Sequence, residues 1–181
     1  MTQNRTRRSK FSALALASDH YGTLKNFQTG RYSPADVAVH FGIPVALAVL
    51  VWALGATARN IPDVLAAVAI FTGLIFNVFV LIFDLTARAT DKLEAESRAL
   101  VDRLADELRA NVSYAVLVGI VFTAILGGVT MFIDTEKPLG VAMTALVVFV
   151  GVHMLLTVFM ILKRVRAMFR SFRLRQAEII P

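Results

Sequence analysis

Long apolar stretches alternate with short polar ones along this chain, and four of the stretches carry no charged side chain: Val37 to Ala58, Val64 to Phe83, Ala110 to Ile133 and Pro138 to Leu162. Each is at least 20 residues long, and about 20 residues rising about 1.5 Å each suffice to cross a ~30 Å hydrocarbon layer. Lipid offers no partner to a backbone N–H or C=O, and none of the runs has the alternating polar positions of a barrel strand. Each is therefore predicted to be an α-helix. The expected fold class is all-α: a polytopic integral membrane protein with four transmembrane helices as two hairpins, plus a cytoplasmic amphipathic helix.

Local signals place the boundaries. Ser33-Pro34-Ala35-Asp36 offers a capping hydroxyl, a proline at the first helical position and a carboxylate near the positive end of a starting helix. Pro62 and Pro138 stand likewise at the starts of spans two and four, and Pro44 can kink span one. Between Gly73 and Gly119 there is no Gly or Pro, and Arg88 to Arg109 reads as a charged helix with Leu93, Leu100, Leu104 and Leu108 on one stripe. Glu94 with Arg98, Arg98 with Asp102, and Arg103 with Glu107 are spaced to support that helix. Asp91 and Glu94 form a capping pattern at its start, and Asn111 is expected to cap span three. The expected segments are a basic N-terminal stretch, 1–33, a hairpin, 34–87, the amphipathic helix, 88–110, a second hairpin, 111–162, and a basic tail, 163–181.

Orientation follows from Lys and Arg, which favour the cytoplasmic side of a span. They crowd before span one, between spans two and three, and after span four, leaving only Arg59 and Lys137 for the other side. Both termini and the middle segment are predicted to be cytoplasmic in a cell inner membrane, with two very short outer turns. The net charge of +6 is then the juxtamembrane charge of such a topology, with Met168, Phe169 and Phe172 among the tail arginines as an interfacial segment. Nucleic-acid binding is not expected. Arg7 and Arg8 precede the apolar patch Phe11 to Ala17, which ends like a signal-peptidase site, but the patch is short and cleavage is not expected.

Span three carries Asn111, Ala115, Gly119, Thr123 and Gly127 at every fourth position, and span one a shorter ladder of Ala38, Gly42 and Ala46. Small side chains let helix backbones approach closely, so Ala115, Gly119, Thr123, Gly127, Gly42 and Ala46 are expected to be helix-packing positions. Four spans with little mass outside the bilayer bury each other poorly. A homo-oligomer, dimer to tetramer, is expected beside the lipid bilayer itself.

Polar groups inside the spans are the candidate chemistry. Superposing Pro62 on Pro138 sets Asn77 over His153, and both are expected to face the bundle interior, bonded to each other or to Thr72 and Thr157. Asp84 continues the Asn77 face; a neutralising pair with Arg88, four residues on, is its ordinary role, and an acidic, cation-attracting mouth is the alternative. Asn77, Asp84, His153 and Thr157 are thus the pore or polar intramembrane candidates. His40 reads as an interfacial anchor, and Trp52 and Tyr114 as belt or packing residues. Without cysteine there is no disulfide or thiolate site, the separated histidines make no metal site, and no cofactor is expected.

No acid and base stand near a nucleophile, so an enzyme is not expected, and the spans lack the broken centres of a secondary transporter. The leading expectation is a non-enzymatic, homo-oligomeric, channel-like inner-membrane protein, with Phe76, Phe79 and Phe83 as a hydrophobic gate. The rival is a membrane-anchoring or sensing subunit that docks a cytoplasmic protein partner through Leu93, Leu100, Leu104 and Leu108. Bacterial defence or stress systems are a biological context for either.

Overall fold

The computed structural model describes residues 13–24, 34–90, 95–134 and 137–179, and the side chains of all these except 85–90, 95–101 and 167–179. Among them the regular structure is entirely helical: α1 (Ala13–Gly22), α2 (Pro34–Ala53), α3 (Ile61–Thr90), α4 (Ala95–Phe132) and α5 (Val141–Ile179). Four helices are long and apolar enough to cross a membrane, over Pro34–Ala53, Ile61–Asp84, Asp102–Phe132 and Val141–Arg166.

The helices pack in an order the chain does not follow. α3 lies on α4, α4 on α5, and α5 on α2, while α1 lies on α4. α2 and α3 are consecutive in sequence, yet among the described residues they do not pack on each other. The first of the two expected hairpins is therefore not a packed pair. The cause is the connection. Gly55, at φ 63°, ends α2 in a left-handed turn in which Ala56 N–H donates to the Val51 carbonyl at 3.1 Å. The chain then passes the start of α5, where Leu139 N–H donates to the Ala58 carbonyl at 2.8 Å and Ala58 N–H to Thr144 Oγ1 at 3.0 Å. Asn60, also left-handed at φ 56°, opens α3 by accepting from Asp63 N–H at 3.1 Å. Thus α2 is left beside α5 and α3 is delivered to α4.

The core sits between α3, α4 and α5. Leu108, Val112, Ala115, Phe122, Leu126 and Val129 of α4 are buried against Ile61 and Ile75 of α3 and Val147, Met154 and Ile161 of α5. The buried positions of α4 recur at alternating steps of four and three, the 3.5-residue period of a seam between long helices. On α3, Ile61, Leu65, Val68, Thr72, Ile75, Phe79 and Ile82 repeat the same steps and are buried or half-buried. The outer helices contribute less: 11% of each of the α2 and α3 spans is buried, against 28% for α4 and 33% for α5.

One expected break is absent. α4 runs unbroken for 38 residues, so the amphipathic segment and span three are one helix, and Asn111 is interior to it rather than its cap. Nothing between Arg109 and Asn111 interrupts the backbone ladder, and the Asn111 side chain turns back to donate to the Glu107 carbonyl at 2.7 Å. α5 carries the tail onward as helix to Ile179. It begins at Val141, so Pro138 precedes the helix instead of opening it. Asp91, Lys92, Leu93, Glu94 and the basic residues before Ala13 lie outside the described residues, as do Lys25, Phe27, Arg31, Tyr32 and Ser33.

Candidate functional site

The small-residue ladder of α4 meets a neighbour at one rung. A Cβ built at Gly119 would collide with the Thr72 side chain of α3, while one at Gly127 would meet nothing within 4 Å. Ala115 and Gly119 are buried, Thr123 and Gly127 only half-buried. The reason is periodic: every fourth position drifts roughly 40° around a 3.6-residue helix, so the ladder leaves the seam after Gly119. Gly42 and Ala46 of α2 are exposed. Of the docking leucines, Leu108 is buried in the protein's own core with Leu104 packed against it. The Leu100 side chain and all of Leu93 lie outside the described residues.

The polar candidates separate into two places. Asn77 and Asp84 are both exposed, two helical turns apart on the face of α3 turned away from α4. The expected inward Asn77 is thereby corrected. Both sides of α3 are apolar, so its pattern does not show which face packs on α4. His153 and Thr157 are buried, and the Thr157 hydroxyl donates to the His153 carbonyl at 2.9 Å.

His153 belongs to a cluster that gathers every histidine of the chain. His40 packs on it with ring centroids 4.4 Å apart, and His20 of α1 stands 5.4 Å from His40. Tyr114 of α4 joins the two ends: its ring stacks on His20 at 4.0 Å, and its hydroxyl is 2.8 Å from His153 Nε2 and 3.1 Å from the Tyr21 hydroxyl. Phe41 and Phe149 flank His153. His40, expected as an interfacial anchor, is 4% exposed, and His20, which no sequence pattern singles out, is fully buried.

Asn111 holds the α1 side of this cluster. Its Nδ2 is committed to the Glu107 carbonyl, so its Oδ1 is the acceptor for His20 Nδ1–H at 2.7 Å. The Thr23 hydroxyl donates to the His20 carbonyl at 2.7 Å and lies 3.0 Å from the same Oδ1. Arg164 of α5 pairs with Glu107 of α4 and donates to the Thr23 carbonyl at 2.8 Å. Glu107 also pairs with Arg103 at 3.6 Å, the expected four-residue contact.

With Nδ1–H engaged, neutral His20 presents a bare lone pair at Nε2. Among the described residues neither His20 Nε2 nor His40 Nε2 has a hydrogen-bond partner. An unmet buried polar atom costs about 1–3 kcal/mol, so this is a strained polar pocket in an apolar bundle. Burial, reinforced by His40, His153 and Arg164, holds His20 down at about 3, although the Asn111 bond opposes the shift. Among the described residues no group of three His, Cys, Asp or Glu side chains is placed to hold a metal ion.

The arrangement is that of an all-helical protein with four helices able to cross a membrane and a short helix pinned to one end of them. No family model, curated protein or solved structure matches the chain.

Proposed function

We propose that the protein is a non-enzymatic, multi-pass inner-membrane protein that assembles with copies of itself around the outer face of α3 and forms a channel-like polar path there. The observation that carries the reading is the exposure of Asn77 and Asp84 together on that face. An amide turned toward acyl chains is costly, and a second α3 removes the cost by hydrogen bonding across the interface. Closed symmetry then gathers one amide and one carboxylate per subunit around a common axis. Asp84 stands at the cytoplasmic mouth, where a ring of carboxylates attracts cations, and exposed Phe76 and Phe83 supply apolar constrictions. His153 and Thr157, inside the protomer, take no part in this path. The docking alternative is weakened because its stripe loses Leu104 and Leu108 to the core.

Single-channel recording in planar bilayers tests the reading. Asn77→Leu is expected to make channel openings about tenfold rarer at equal protein density, the worth of roughly one interhelical amide bond lost from the assembly. Asp84→Asn is expected to reduce cation preference, read as a shift in reversal potential across a salt gradient. Folded oligomers that carry no current at any voltage reject the proposal.

A further inference from the structure

α1 is the one helix described here that is not long enough to span a bilayer, and it is fastened through the histidine cluster. Its fixed points are His20, Tyr21, Thr23 and Leu24, while Leu14, Leu16, Ser18 and Asp19 are exposed. We propose that the cluster is a proton-operated latch, in which a proton taken up by His20 releases α1 from α4 and the adjoining part of α5.

The geometry supplies the reason. A proton entering the docked ring adds at Nε2, because Nδ1 already holds the hydrogen given to Asn111. The new N–H finds no acceptor among the described residues. The groups that face the resulting cation from α2 and α5 are unfavourable, and only the Asn111 bond from α4 opposes them. α2 presents His40, α5 presents His153 and Arg164, and α4 presents the neutral Tyr114 and Asn111. On α1 itself the neighbour is the Tyr21 ring, edge-on at 5.2 Å. Glu107 reaches this network through Arg164, and its carboxylate is already engaged by Arg164 and Arg103. Asp19 and Asp36 are exposed. Release hydrates the imidazolium at the cost of the few contacts of a ten-residue helix.

The sign follows from linkage. Docked His20 sits near 3 and the released ring near its ordinary 6.5, so the docked state binds fewer protons. Docking is complete above pH 6.5 and is lost as pH falls from there toward 3. Each unit in that window favours release tenfold, which makes release about 30-fold more favourable at pH 5.0 than at pH 7.5.

The chain has no native cysteine, so a spin-label pair at Ser18→Cys and Arg109→Cys, both exposed, reports the α1 to α4 distance in full-length protein in nanodiscs. One short, narrow distance is expected at pH 7.5, and a long, broad population at pH 5.0, reversible on returning the pH. His20→Gln, which cannot take the proton, is expected to abolish the pH dependence. If that variant is undocked at every pH, histidine-specific isotope labelling of the wild type decides instead. The chain holds three imidazoles, and one must become protonated together with the loss of the short distance. An unchanged distance between pH 7.5 and 5.0, a full response in His20→Gln, or protonation of all three rings without release each overturns the latch.

Discussion

Gly119→Ala is expected to destabilise the protein by about 2–3 kcal/mol, the range of an overpacked core site, measured as a lowered midpoint of thermal unfolding in lipid nanodiscs. The added methyl would fall on Thr72, inside contact with its Oγ1, Cγ2 and Cβ. Thr72 cannot swing away freely, because its hydroxyl donates to the Val68 carbonyl at 2.7 Å and the residue is buried in the α3–α4 seam. The helices must separate instead, and separation loosens every seam contact from Leu108 to Val129. Thr72→Ala in the same chain removes the oxygen and the methyl, leaving only a Cβ contact at 3.0 Å, so the double variant is expected to regain most of the loss. Gly127→Ala serves as the comparison: with nothing within 4 Å of its added Cβ, it is expected to stay within about 0.5 kcal/mol of wild type. A Gly119→Ala protein as stable as the Gly127→Ala protein would mean that α3 and α4 are not in this close approach.

That contrast also marks what the sequence makes legible. The spans are readable because lipid leaves the backbone a single solution, and α2 starts at Pro34 where the capping pattern puts it. Gly119 is readable as a close approach, but the four-residue ladder overextends it to Thr123 and Gly127. The order α3, α4, α5, α2 is not readable, since it depends on the contacts of Ala58 with Leu139 and Thr144, residues more than 80 positions away. The outward Asn77 is hidden for a physical reason: in lipid both faces of a span are apolar, so hydrophobic pattern carries no inside or outside. The cluster is hidden by distance along the chain, as His20, His40 and His153 share no ligand spacing. One available signal was composition. In a chain with three histidines, two lie within apolar spans at His40 and His153, and Asn111 and Tyr114 place two further polar side chains a single turn apart on a third helix.

Asn111→Leu is expected to free α1 at neutral pH while leaving the four long helices in place. Asn111 is fully buried, and its Oδ1 is the sole acceptor given to His20 Nδ1–H among the described residues. Leucine fills a similar volume but strands that N–H in an apolar site, at a cost of about 2 kcal/mol, or roughly a 30-fold shift toward release. Thr23 is less affected because its hydroxyl keeps the His20 carbonyl at 2.7 Å. Hydrogen exchange at pH 7.5 reads the change directly: amides of Ala13–Gly22 should lose protection by about that factor, and those of α4 and α5 should not. Asn111→Asp separates the roles of shape and charge. A carboxylate still accepts from Nδ1–H and also stabilises the ring once protonated, so docked His20 is expected to titrate higher and α1 to stay docked at pH 5.0, where the wild type lets go. If both variants release α1 equally at pH 7.5, Asn111 acts through packing alone. If neither does, the hydrogen bond to His20 is not what holds the helix.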